Sequence, residues 1–160
     1  MDSISKTCDR AKVLIMEDDE DMSVMMKNAL EERGYDIRTA ETAIEGLAIM
    51  RAWSPDLVLL DVMMPGMDGL EALHEIKNDQ ALKSTPVVMV SIMSDMKTKM
   101  SSFLAGARRY ITKPFMADEL AAEVRNTLRQ TANTRMYFGK ALCDDDADLT
   151  FEAEAAGLFE

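Results

Sequence analysis

Asp61 ends the apolar run Leu57-Val58-Leu59-Leu60 and is followed at once by Val62-Met63-Met64-Pro65-Gly66-Met67-Asp68-Gly69. A carboxylate at the tip of a strand, just before a Pro-Gly and Asp-Gly loop, stands where open α/β sheets bind their ligands. A helix cap or a solvated strand end would also account for one such aspartate, so its company decides. Val13-Leu14-Ile15-Met16 runs into Glu17-Asp18-Asp19, Val87-Val88-Met89-Val90 into Ser91, and Arg109-Tyr110-Ile111-Thr112 into Lys113. Four strand-like segments thus end in groups that can bind, donate or attack.

Glu17, Asp18 and Asp61 offer hard oxygen ligands, which suit a Mg²⁺ ion that keeps several waters and completes its shell with phosphate. A transferred phosphoryl group spreads negative charge over its oxygens, and cations and hydroxyl donors stabilise that charge. Asp61 would be the nucleophile, its carboxylate attacking phosphorus to give an acyl phosphate. Ser91 would donate to one phosphoryl oxygen, and Lys113 would pair with another or with the unphosphorylated Asp61.

The elements that must position these groups follow from periodicity. Met22, Met25, Met26, Ala29 and Leu30 recur at helical spacing after the acidic triplet. A weaker strand at Asp36 to Ala40 precedes a helix carrying Ile44, Leu47 and Ala48, and Pro55 separates that helix from the Asp61 strand. Gly69 to Asn78 places Leu70, Leu73 and Ile76 on one helical face, and Thr85-Pro86 leads into the Ser91 strand. Asp95 to Ala105 reads as a helix closed by Gly106, Arg109 to Lys113 as a fifth strand, and Met116 to Arg129 as a last amphipathic helix. Five strand-helix alternations imply a parallel sheet with helices on both faces. Periodicity leaves the strand order open.

Composition bounds the function. The 160 residues suit one domain with a core, and the start Met1-Asp2-Ser3-Ile4-Ser5-Lys6 has no apolar signal region. No stretch approaches a membrane span, and a cytoplasmic location is expected. Cys8 and Cys143 form neither a disulfide framework nor a metal pattern. His74 is the single histidine and is expected on a helix surface, which leaves a Ser-His or Cys-His arrangement without support. Of the formal net charge of -11, residues 141–160 carry seven acidic groups and no basic one. Such a balance argues against nucleic-acid binding, which uses basic surface to neutralise phosphates.

Over roughly residues 11 to 130 the chain resembles the receiver domain of two-component response regulators, and in particular single-domain chemotaxis regulators. The resemblance rests on Val13 through Asp19, on Leu60 through Gly69, on Ser91, and on Gly106-Ala107 with Tyr110-Ile111-Thr112-Lys113-Pro114-Phe115. It implies a flavodoxin-like, doubly wound five-stranded sheet ordered 2-1-3-4-5, between a short extension at residues 1–10 and an acidic tail at 131–160. It implies phosphorylation of Asp61 by a sensor histidine kinase or histidine phosphotransfer protein, with Mg²⁺. Asp18, Asp61 and the main-chain carbonyl of Met63 would ligate the ion, with Glu17 acting through water. Ser91 and Tyr110 would shift together on phosphorylation and remodel the face built by the fourth helix, fifth strand and fifth helix. Lys113-Pro114 would be a cis peptide that aims the lysine.

Three departures matter. Glu17 stands where aspartate is more usual in similar proteins, and Ile92 stands where a small residue is usual, narrowing access to Asp61. Met63 and Met93 are apolar where polar groups could orient an attacking water, so a long-lived acyl phosphate is expected. The resemblance leaves a non-switching scaffold or phosphate sink as the alternative, and a monomer or a phosphorylation-dependent dimer as the assembly. A phosphatase of the haloacid dehalogenase type would need an acid two residues after its nucleophile, where this chain has Met63. Most of the fifteen methionines are expected to fill gaps on packed faces. Acidic residues interleaved with Phe151, Leu158 and Phe159 make the tail a mobile segment, or a docking peptide for a basic face carrying Lys97, Lys99, Arg108, Arg109, Arg125 and Arg129.

Overall fold

A computed structural model describes residues 10–136 of the chain. The tail with Phe151, Leu158 and Phe159, and both Cys8 and Cys143, lie outside the described residues. A compact unit spans Arg10–Leu128. Five strands, β1 (Lys12–Met16), β2 (Asp36–Ala40), β3 (Leu57–Asp61), β4 (Val87–Ser91) and β5 (Arg109–Thr112), alternate with five helices. These are α1 (Glu20–Glu31), α2 (Ala43–Trp53), α3 (Gly69–Asn78), α4 (Met96–Leu104) and α5 (Ala117–Met136). All strands are parallel in the order β2-β1-β3-β4-β5, as the resemblance implies.

Burial explains the strand sequences. β3 and β4 are buried at every position, because helices cover both faces of the central strands, whereas edge strand β2 alternates. Period-two alternation sends neighbouring residues into opposite cores. Leu14, Met16, Val58, Leu60 and Met89 pack with Leu47, Leu73 and Ile76, while Val13, Ile15, Leu59 and Val90 pack with Met26, Leu30, Leu120 and Val124. Each of the first four helices starts at an Asp or Thr whose side chain accepts a main-chain N–H of the first turn: Asp19, Thr42, Asp68 and Asp95. Asp19, the third acid of its triplet, is therefore a cap.

Two expectations shift. α5 continues to Met136 instead of stopping at Arg129, since no glycine or proline follows until Gly139. α2 buries Ala43, Gly46, Leu47 and Met50, and leaves Ile44 at 69% exposure and Ala48 exposed. The helix is turned by one residue so that Gly46 faces Met16, where a Cβ would lie 2.5 Å from the sulfur. Methionines behave as expected: Met16, Met26, Met50, Met64 and Met89 are buried, Met22 and Met25 pack against the core, and Met63, Met96, Met100 and Met116 are exposed.

Gly69 makes the tightest approach. A Cβ there would meet the Asp61 carbonyl oxygen at 2.1 Å, and its N–H donates to the Val62 carbonyl at 2.8 Å. Main chain cannot swing aside as the Met16 side chain can. Gly69→Ala is therefore expected to cost about 2 kcal/mol or more in urea unfolding, whereas in Gly46→Ala a gain in helix propensity of about 1 kcal/mol offsets part of the crowding. Equal losses for the two variants would contradict this account of the β3–α3 loop.

Candidate functional site

Parallel topology brings the carboxyl ends of β1, β3, β4 and β5 to one edge, and with them Glu17, Asp18, Asp61, Ser91 and Lys113. β3 carries Asp61 to 6% exposure, and β4 ends at Ser91 with none. Glu17 follows β1 at 2% exposure, held there by its main-chain N–H donating to the Ala40 carbonyl of β2. Asp18 is exposed. Carboxylate oxygens of Glu17, Asp18 and Asp61 all lie within 4.8 Å of one another. No other acid, histidine or cysteine cluster of this kind occurs among the described residues.

Lys113 reaches this cluster from the loop after β5, where Lys113-Pro114 is a cis peptide as the resemblance implies. Its ammonium donates to Glu17 Oε1 at 2.7 Å and to Asp61 Oδ2 at 3.4 Å. The reading from sequence paired the lysine with Asp61; the glutamate is the nearer partner. Asp61 Oδ1 accepts the Met63 main-chain N–H at 3.1 Å, so Oδ2 is the less encumbered oxygen. Ser91 Oγ accepts the Met93 N–H at 3.1 Å and still has its own hydrogen to donate, which Tyr110 engages.

Two buried acids competing for one ammonium set the electrostatics. Burial pushes the Glu17 carboxyl up to about 7; the Lys113 hydrogen bond opposes that rise and neighbouring Asp61 reinforces it. For Lys113, burial works to lower the pKa, but the bond to Glu17 and the charges of Asp61 and Glu17 outweigh it and hold the ammonium protonated. Both directions describe a site short of positive charge. Hard oxygens with unsatisfied negative charge fit a small divalent cation with partial hydration.

Tyr110 lies between this site and the surface. Its hydroxyl donates to the Met93 carbonyl on the β4–α4 loop at 2.5 Å, burial raises its pKa, and a hydrogen bond with Ser91 opposes that rise. The Lys99 ammonium stands 5.7 Å from its ring centroid. Of the basic residues read as one face, Arg109 is already paired with Glu123 at 3.0 Å, and Lys97, Arg108 and Arg125 are exposed. Ile92 is 65% exposed and Met63 52%, both beside the site, while Met93 packs against the core. His74 is exposed on α3, as expected.

Sequence reasoning missed the Glu17–Lys113 bond and the Tyr110–Met93 clamp. Each joins groups far apart in sequence, the first two side chains and the second a β5 side chain and a loop carbonyl, and neither leaves a periodic signal.

Residues 13–125 match the family model described as the response regulator receiver domain. Among curated proteins, the chain is 36% identical over 120 residues to the DNA-binding dual master transcriptional regulator RpaA of Synechocystis sp., covering 75% of this chain and 50% of that protein. It is 35% identical to the phosphate regulon transcriptional regulatory protein PhoB of Pseudomonas aeruginosa, covering 74% and 52%. The chain thus spans about half the length of these relatives. A CheY-like response regulator receiver domain protein from Methanospirillum hungatei superposes with a TM-score of 0.74 at 28% identity, over 79% of this chain and 99% of that one. The receiver domain of Francisella response regulator 1452 gives 0.72 at 30% identity, over 76% and 99%.

A cation held by the carboxylate cluster would bind the folded chain alone and so should raise its melting temperature. Mg²⁺ at a hundredfold excess over its dissociation constant adds about 2.7 kcal/mol, and Asp18→Asn, an exposed change that leaves the core intact, should remove most of that gain. Equal Mg²⁺ responses in a thermal melt of the two proteins would exclude Asp18 as a ligand.

Proposed function

Because the chain belongs to the response regulator receiver domain family, we propose that it accepts a phosphoryl group on Asp61 from a sensor histidine kinase or histidine phosphotransfer protein. The observation that carries this reading is the buried Asp61 with Lys113 and Ser91 at the same sheet edge and a carboxylate cluster around it. Asp61 Oδ2 attacks phosphorus, and the bond from phosphorus to the donor's imidazole nitrogen breaks with its electron pair leaving on that nitrogen. The product is an aspartyl acyl phosphate. Lys113 moves from carboxylate to phosphoryl oxygen, a small step because it already reaches Oδ2. Ser91 turns its hydroxyl from Tyr110 to donate to a second oxygen.

Mg²⁺, held by Asp18, Asp61 and the Met63 carbonyl with Glu17 acting through water, would supply the remaining positive charge. The chain's own catalysis is confined to gaining and losing this group, since Met63 provides no acid for protonating the leaving group of an external substrate. Location in the cytoplasm belongs to the same reading; no helix among the described residues is long and apolar enough to cross a membrane.

Output by protein contact through α4, β5 and α5 is supported by the exposure of Met96, Met100, Phe103 and Leu104 on α4, whose buried residues are limited to Ser102. A helix anchored so lightly can move when Ser91 and Tyr110 move. The relatives named above are transcriptional regulators, one described as DNA-binding. For this chain, 18 basic residues against 29 acidic favour a protein target. The Tyr110–Met93 hydrogen bond favours the alternative of a non-switching scaffold or phosphate sink if it survives phosphorylation.

Incubation with Mg²⁺ and a small acyl-phosphate donor should add one phosphoryl mass to the wild type and none to Asp61→Asn, and should shift amide resonances along α4 and β5. Labelling without those shifts would favour the phosphate sink, and labelling of Asp61→Asn would sink the assignment. Exposed Met63 and half-buried Met93 leave the acyl phosphate without a polar partner for water. The double variant Met63→Asn, Met93→Glu should therefore lose phosphate several-fold faster in a mass-spectrometric decay; an unchanged half-life would refute the water-exclusion account.

A further inference from the structure

Glu17 has both carboxylate oxygens in use. Oε1 accepts the Lys113 ammonium at 2.7 Å, and Oε2 accepts the Asp19 main-chain N–H at 3.2 Å. Asp61 receives the same ammonium only at 3.4 Å. The lysine that must meet a phosphoryl oxygen is thus held mainly by a different acid.

We propose that Glu17 serves two cations in turn: it is the principal partner of Lys113 in the metal-free protein, ahead of Asp61, and releases it when a divalent cation enters the carboxylate cluster. This inference rests on the Mg²⁺-dependent phosphoacceptor reading and deepens it. Glu17 is a positioning residue that acts through Lys113.

Reach, burial and charge carry the inference. An aspartate at position 17 would end short of Lys113 by one C–C bond, about 1.5 Å, which would break a 2.7 Å contact. The Glu17 side chain is 1% exposed and that of Lys113 11%, so bulk water is poorly placed to take over either partner once they part. An unpaired buried charge is costly, so the lysine leaves only when another cation replaces it. The cluster itself invites that replacement, because three carboxylates face one ammonium. With Oε2 committed to Asp19, Oε1 is the oxygen a hydrated cation would engage, and that is the one Lys113 occupies. Entry of a divalent charge also repels the ammonium directly, at short range and low local dielectric. The released lysine has Asp61 Oδ2 already within 3.4 Å, so loading the cation and turning the lysine to the phosphoacceptor become one event.

The test is an NMR titration of the Lys113 side-chain ammonium with MgCl₂ on the full chain, paired with calorimetric Mg²⁺ affinities for wild type, Lys113→Met and Glu17→Asp. The ammonium resonance should be protected from solvent exchange in metal-free wild type, and should shift or vanish along the Mg²⁺ binding curve. Lys113→Met should bind Mg²⁺ about tenfold more tightly, since no ammonium has to be displaced. Glu17→Asp should lack the protected resonance before any Mg²⁺ is added. A resonance unmoved at Mg²⁺ saturation, or unaltered affinity in Lys113→Met, overturns the exchange while leaving the phosphoacceptor reading in place. Failure of the wild type to bind Mg²⁺ at all overturns both.

Discussion

Two buried carboxylates sharing one lysine are the constraint around which the rest of this molecule is arranged. Charged groups lose several kcal/mol each on leaving water, and a carboxylate pair would drive its own protonation without a nearby cation. The fold meets that cost by drawing its partners from three strands that are far apart in sequence. Lys113 lies 96 residues from Glu17 and 52 from Asp61, yet a parallel sheet brings all three to one edge. Compensation is nonetheless incomplete, as the raised Glu17 pKa records. The incompleteness is useful, because the uncompensated negative charge is what attracts a divalent ion.

Rigid surroundings make this economy workable. β3 and β4 are buried on both faces and registered residue by residue, Leu60 opposite Met89 and Asp61 opposite Val90, so Asp61 cannot slide relative to Ser91. Directly behind it, Gly69 lets the start of α3 touch the main chain of Asp61, and the Asp68–Glu71 capping box fixes that helix end. Precision at Asp61 is thus a property of backbone packing, while the lightly anchored parts nearby are side chains and α4.

Much of this was legible in the sequence for a physical reason. Central strands of a parallel sheet are continuous apolar runs, and a polar residue ending such a run marks the sheet edge where ligands bind. Asp61 and Ser91 could be found that way, Lys113 by its place after the edge strand β5, and β3, β4 and α3 begin and end where their patterns and caps place them. What was not legible depends on three-dimensional fit. α2 looked as if Ile44 and Ala48 faced inward, but close packing of Gly46 on Met16 turned it by a residue. Hydrophobic periodicity weights large side chains and cannot see a helix docked through its smallest one. Likewise Glu17 and Lys113 each carried a chemical signal, but the 2.7 Å contact between them depends on side-chain length, which no spacing rule encodes.

α4 shows how stability and response are divided. Its buried surface is little more than Ser102, whose hydroxyl turns back to the Thr98 carbonyl instead of reaching the core, while Met100, Phe103 and Leu104 face solvent. A helix packed in this way contributes little burial energy, so moving it costs the fold little. Its tie to the reacting centre is correspondingly specific: Tyr110 on β5 clamps the Met93 carbonyl just before α4, and Met93 in turn donates its N–H to Ser91. Any reorientation of the Ser91 hydroxyl toward a phosphoryl oxygen therefore pulls on the same short loop that Tyr110 holds. Because α4 buries so little of itself, that loop is a main tie between the helix and the sheet edge that carries Ser91.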